Sequence, residues 1–238
     1  MAQKKSNKKK PKTESPFGSY IKIVWLSLFA GIFALTAVFV LISTTQLPDT
    51  SELENPKIEL ATQILDHRDR SLGAFFKYNR KNVRFEELNP NIVNALVATE
   101  DERYFDHTGI DVRSTIRAFV YLGKKGGAST ITQQLAKQFF TKRSRNIVLR
   151  SWQKLKELVI AIEFEKRYTK GEIMAMYLNK YDFLYESDGI SAAAKTYFGK
   201  GQSELSIDES AILVGMLKNP SYYNPVRKPD NALLRRSV

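Results

Sequence analysis

Glu100 is the residue whose placement first suggests chemistry. Ile92, Val93, Leu96 and Val97 form an apolar stripe at helical spacing over 91–103. Glu100 stands four residues after Leu96 and seven after Val93, so it projects from that same stripe. It also falls near the helix C-terminus, where the macrodipole opposes negative charge. Desolvation and dipole together predict a pKa raised toward neutrality, as a general base or acid requires. Asp101 adds like charge, and Tyr104, Phe105, His107 and Gly109 follow as an aromatic-rich turn able to exclude water. The plainer alternative is an exposed carboxylate at a frayed helix end, and His107 alone reads as a hydrogen-bonded structural residue.

A second group opens at Gly126-Gly127. Thr130-x-x-Gln133 fits a capping box for a helix over 130–140. Thr130, Gln134 and Lys137 then fall at i, i+4 and i+7, a polar stripe suited, with Ser129, to an extended sugar or phosphate. A third group, 139–154, sets Lys142, Arg143, Arg145, Arg150 and Lys154 among Phe139, Phe140, Ile147, Val148 and Trp152. Arg150, Lys154 and Glu157 make one more stripe, opposite Leu155, Leu158, Val159 and Ile162. Intrahelical pairing explains Lys154 and Glu157 at low cost. Basic residues interleaved with aromatics also suit single-stranded nucleic acid, but a membrane-tethered domain would more readily meet lipid headgroups and a pyrophosphate.

The elements that must position these groups are mostly helical. Apolar residues recur at three- and four-residue spacing through 92–104, 111–122, 130–140, 147–167, 170–179 and 208–217. A short hairpin is expected around Asp66–Ser71. The chain has 238 residues, no cysteine, two histidines and a formal charge of +12. That excludes disulfide frameworks, thiolate zinc sites and cysteine nucleophiles. Residues 1–22 carry seven Lys and one Glu, half of the surplus, ahead of an uncharged run from Ile23 to Pro48. The expected organisation is a basic cytoplasmic tail over 1–22, a transmembrane helix over 23–45, a linker over 46–60 and one domain over 61–238. The positive-inside rule puts that domain outside the cytoplasmic membrane.

Taken together these segments resemble the peptidoglycan glycosyltransferase domain (glycosyltransferase family 51) of class A penicillin-binding proteins and monofunctional transglycosylases. ATEDERYFDHTG (98–109), GASTITQQLAKQ (127–138), QKLKE (153–157), YTKGEIMAMYLNK (168–180) and GMLKNPSYYNPVRKP (215–229) match its five motifs in order. Tyr104 stands in place of the usual Phe, Gln153 in place of an arginine, and Ala175 in place of a glutamate. The resemblance implies a mainly α, lysozyme-like two-lobed fold with a small β-hairpin, preceded by one transmembrane helix. It implies polymerisation of lipid II into glycan strands with inversion and release of undecaprenyl pyrophosphate, at the outer face of the bacterial cytoplasmic membrane. Glu100 and Glu157 would be catalytic. Asp101, Ser129, Thr130, Gln134, Lys137, Arg145, Arg150 and Lys154 would bind substrate and its pyrophosphate. No cofactor is required on this reading, though Glu157 could hold Mg or Mn on the pyrophosphate. Partners would be lipid II, the growing strand, membrane lipid and other cell-wall synthesis, division or elongation proteins, with no nucleic acid. A membrane-anchored lytic glycosidase is the competing class. Ser6, Ser19 and Ser151 each begin S-x-x-K, but no K-T-G accompanies them.

Overall fold

A computed structural model describes residues 16–44, 62–68, 71–75, 82–121, 127–140 and 145–237. The linker expected over 46–60 lies outside the described residues, as do most of the basic tail and Arg143. The chain divides into two units, Met1–Gln46 and Leu47–Val238. In the first, α1 runs Pro16–Thr44, 29 residues, with Tyr20, Val24, Leu26, Phe29 and Phe33 all exposed. The transmembrane span expected over 23–45 falls on this helix. Among the described residues no helix is long and apolar enough to cross a membrane.

The second unit opens with two antiparallel strands, β1 (Thr62–Leu65) and β2 (Ser71–Phe75), paired Thr62 to Phe75 with a register shift after Ile64. The rest is helical. A 3₁₀ turn at Phe85–Glu87 leads into α2 (Pro90–Glu100), α3 (Val112–Val120), α4 (Ile131–Phe140), α5 (Ile147–Arg167) and α6 (Lys170–Lys180). After them come α7 (Ile190–Phe198), a 3₁₀ turn at Gln202–Glu204, α8 (Ile207–Met216) and α9 (Pro229–Arg236). α2 packs on α8, α8 on α9, and α4 on both α5 and α6. Ile92, Leu96, Leu135, Phe164, Tyr177, Leu178 and Leu213 form one core across these helices.

Two of these helices lack the expected spacing. α7 begins Ile-Ser-Ala-Ala-Ala; Ile190, Ala192, Ala193 and Ala194 are buried and Lys195 and Thr196 exposed, so its buried side is made mostly of alanines rather than large apolar residues. α9 is short, starts on Pro229 and buries little beyond Ala232. α2 also ends three residues earlier than the spacing predicts, because Asp101 leaves helical geometry (φ −157°, ψ 75°).

The start of α2 is pinned with unusual thoroughness. Asn89 accepts from the Asn91 backbone as the N-cap, and its amide donates to the carbonyl of Leu205 at 2.8 Å. The Gln202 side chain accepts from the Asn89 backbone N–H at 3.0 Å. Pro90 sits where its missing N–H is not needed. The helix that carries Glu100 therefore has a fixed origin.

Candidate active site

Glu100 is the last residue of α2, and its side chain is about 15% exposed. It lines a cavity of about 460 Å³ with Asp101, Arg103, Asp111, Arg117, Gln134, Lys218 and Arg235, and with Gly127–Thr130. Its carboxylate is held on both oxygens. The Gln134 side chain of α4 donates to Oε2 at 3.1 Å, and Arg235 Nη2 of α9 lies 3.5 Å from Oε1. Gln134 is oriented in turn by Tyr177 of α6, whose hydroxyl donates to its Oε1 at 2.9 Å. Burial, and then the Glu100 charge, push the Tyr177 hydroxyl well above the ordinary tyrosine range. It stays a donor under all working conditions. The surroundings of Glu100 thus differ from the purely apolar stripe that spacing predicts, since an amide and a guanidinium meet it at the helix end.

Asp101 has a different task. It is buried, both its oxygens lie 3.1 Å from His107 Nε2, and Oδ2 also accepts from the backbone N–H of Ile131. A carboxylate at the first turn of α4 complements the helix dipole. Asp101 and His107 therefore tie the end of α2 to the start of α4, and hold Glu100 opposite Gln134.

Thr130 caps α4 by accepting from Gln133 N at 3.2 Å, while its hydroxyl donates to the Gly109 carbonyl at 2.7 Å. It is buried, so its hydroxyl serves the fold. The reciprocal half of the expected capping box does not form. Gln133 instead donates to Gly109 O and accepts from Lys154. Gly109 itself has φ +82°, and a Cβ there would stand 2.9 Å from the Ala161 carbonyl of α5.

Lys154 reaches across from α5. Its ammonium lies 2.9 Å from Ser129 Oγ, 2.9 Å from Gln133 Oε1 and 3.1 Å from Glu157 Oε2, so its three donors have three acceptors. Glu157 is buried and serves this lysine, binding the glycine-flanked loop to α5. One carboxylate beside an ammonium is a poor donor set for Mg or Mn. Among the described residues no group of three His, Asp or Glu side chains could hold a metal ion.

The structure therefore gathers Glu100, Asp101, Ser129, Thr130 and Gln134 on the cavity wall, with Lys154 and Glu157 behind Ser129. Lys137, Arg145 and Arg150 are exposed and are not among the residues that line it. The cations on the wall are ones that spacing did not single out. Arg103 bonds Asp111 Oδ2 at 2.6 Å and Ser114 Oγ at 2.9 Å, and Arg117 donates to the same hydroxyl. Burial opposes the Asp111 charge, but Ser114 and Arg103 outweigh it and hold its carboxyl at about 2. Lys218 follows α8, and Arg235 arrives from α9. The sequence signal for Arg235 is a glycine, Gly215, in the buried last turn of α8.

The departures from the family pattern also have places. Tyr104 is buried, and its extra hydroxyl donates to the Lys170 carbonyl at 2.7 Å. Ala175 is buried in the core, where a carboxylate would need a partner.

Comparison with known proteins accounts for this arrangement. The family described as Transglycosylase matches residues 68–238. Penicillin-binding protein 1A of Escherichia coli (strain K12) is 37% identical over 197 residues, 81% of this chain and 23% of that protein. Penicillin-binding protein 1A of Aquifex aeolicus (strain VF5) is 37% identical over 217 residues, 90% and 29% of the two chains. Penicillin-binding protein 2a of Streptococcus pneumoniae (strain D39) is 35% identical over 216 residues, 91% and 28%. The chain spans about a quarter of the length of these relatives. With the match covering most of its residues and the cavity built from the matched segments, the chain belongs to the transglycosylase family.

Proposed function

We propose that the domain polymerises lipid II into glycan strands by inverting β-1,4 transglycosylation. The observation that carries this is a largely buried carboxylate, Glu100, sharing one cavity wall with the cations Arg103, Arg117 and Lys218. Glu100 acts as general base on the 4-hydroxyl of the acceptor's N-acetylglucosamine. The freed oxygen attacks C1 of the donor's N-acetylmuramic acid, the bond from C1 to the pyrophosphate breaks, and undecaprenyl pyrophosphate leaves. The proton rests on the Glu100 carboxylate until it passes to solvent. Negative charge grows on the leaving oxygen, so cations preset on the wall stabilise the transition state more than the ground state. A hydrolase would have no such charge to meet, which disfavours the lytic alternative.

The substrate has a long polyprenyl tail, and two features suit that. Val112, Ile116 and Val120 form an exposed apolar stripe on α3, and Ile147, Val148 and Leu149 are exposed at the start of α5. These belong to the smaller jaw of a lysozyme-like, two-lobed fold, which meets the membrane surface. The uncharged run from Ile23 to Pro48, most of it on α1, anchors the chain in the cytoplasmic membrane with its basic end inside. Tethering in the substrate's own membrane raises its effective concentration. Other cell-wall synthesis, division or elongation proteins are the partners this setting implies.

The test is incubation of the native chain and Glu100→Gln with labelled lipid II in detergent, followed by sizing of the glycan. Native protein should make polymer, and the variant should lose about 10²–10⁴-fold in rate. Polymer made by Glu100→Gln at the native rate refutes the base. Shortening of finished glycan by native protein, with none made, establishes the lytic class.

A further inference from the structure

We propose that Arg235 is a positioning residue for Glu100, and that Gly215 is the notch through which it reaches. This rests on the reading of Glu100 as the base. Arg235 lies in α9 beyond the last matched motif, yet its side chain is only about 12% exposed and ends 3.5 Å from Glu100 Oε1. That separation suits charge balance without a short hydrogen bond, so the oxygen keeps capacity to receive a proton. Arg235 Nε is buried without a hydrogen-bond partner among the described residues. A buried, unsatisfied donor is retained where something else is gained. The guanidinium ends beside the Glu100 carboxylate.

The route to that position is specific. Gly215 stands in the last turn of α8, fully packed, where glycine is a poor helix former. A Cβ on it would lie 3.0 Å from Arg235 Cγ and 3.7 Å from Cβ. The missing side chain is the space that the arginine stem occupies. Arg235 and Lys218 also form the wall between the main cavity and a second one of about 260 Å³, lined by Tyr222, Tyr223, Asn231 and Leu234. Displacing the stem would therefore move the guanidinium off Glu100 rather than leave it in place.

Gln134 holds one carboxylate oxygen from α4 and Arg235 approaches the other from α9, while Tyr177, Tyr181, Asp101 and Lys218 complete the polar surroundings. With both oxygens guided, the carboxylate keeps one orientation toward the incoming hydroxyl. Misplacement of a reacting group by about 1 Å costs up to ~10²-fold in rate.

The experiment is steady-state glycan polymerisation from labelled lipid II by the native chain, Arg235→Ala, Arg235→Lys, Gly215→Ala and the double variant. Arg235→Ala should lower kcat about ten- to hundredfold with KM within about twofold, and guanidinium chloride at millimolar concentration should restore part of it. Gly215→Ala should lower kcat less, and the double variant should be no worse than Arg235→Ala, since the methyl then has nothing to displace. Arg235→Lys keeps the charge but loses the reach, and should fall between. A rise in KM at constant kcat makes Arg235 a substrate ligand and overturns the proposal. So do additive losses in the double variant, or native kcat in Arg235→Ala. If the native chain makes no polymer, the assignment of the base fails and this inference falls with it. If native polymerises and Arg235→Ala equals it, only this inference falls.

Discussion

Tyr177→Phe removes one hydroxyl from a fully buried ring and tests whether Gln134 must be held to hold Glu100. The hydroxyl donates to Gln134 Oε1 at 2.9 Å, and the Gln134 amide donates to Glu100 Oε2 at 3.1 Å. Removing the first donor leaves a carbonyl oxygen facing a ring edge. A typical hydrogen bond contributes about 0.5–1.5 kcal/mol net, and a stranded buried acceptor costs about 1–3 kcal/mol. A stability loss of about 1–2 kcal/mol follows, within what a domain stable by roughly 5–15 kcal/mol survives folded. In the active site the amide loses the contact that selects its orientation, and part of its donation to Glu100 is lost with it. If about 1.4 kcal/mol of that reaches the transition state, kcat falls about tenfold. The assay is single-turnover polymerisation at saturating lipid II, paired with urea unfolding so that the folded fraction is known. Gln134→Glu gives the opposite perturbation, a second carboxylate beside Glu100, and should lose more. A Tyr177→Phe protein that is folded and turns over within twofold of native would refute the relay from α6 through α4 to Glu100.

Four other outcomes follow from the same geometry. Lys154→Ala removes the common donor of Ser129, Gln133 and Glu157, and should lower stability by about 1–2 kcal/mol in urea unfolding as well as turnover; an unchanged midpoint with full activity would sink the tie between the loop and α5. Gly109→Ala needs a Cβ 2.9 Å from Ala161 O at φ +82°, so a loss of at least ~2 kcal/mol is expected, read as a lower Tm. Asp111 titrates at about 2, below its ordinary ~3.9, so its contribution is present above the ordinary value and is lost as pH falls through about 2. Asp111→Asn should therefore flatten the stability–pH curve between about pH 4 and 2, and a curve of unchanged slope would contradict the Arg103 and Ser114 contacts. Leu184, Tyr185 and Glu186 have φ of 69°, 52° and 56°, so Glu186→Gly, at an exposed site, should stabilise by about 0.5–1 kcal/mol after the glycine's own entropy is offset, measured by the urea midpoint.

Glu100 was legible in the sequence because its signal is local. A carboxylate on a helix's apolar stripe needs only the 3.6-residue period to be found. Thr130 was legible as a cap for the same reason, while its buried hydroxyl's bond to Gly109 joins residues 21 apart and leaves no pattern. Helices α7 and α9 are short, nine and eight residues, and their buried faces rest on alanines, Ala192–Ala194 and Ala232, so no stripe of large apolar residues marks them in the sequence.

The cations of the cavity wall leave a different kind of trace. Charge density along the chain points to 137–154, whereas a cavity samples charges from separate elements, and among the described residues its wall draws Arg103, Arg117, Lys218 and Arg235 from four of them. Lys154 is close by, and its three donors meet Ser129, Gln133 and Glu157, joining the loop to α5. Gly215 shows the kind of signal that could have been used. A glycine within the buried C-terminal half of a helix is unfavourable there unless another side chain needs the room. Asking which side chain that is leads across 20 residues to Arg235, and through Arg235 to the Glu100 carboxylate.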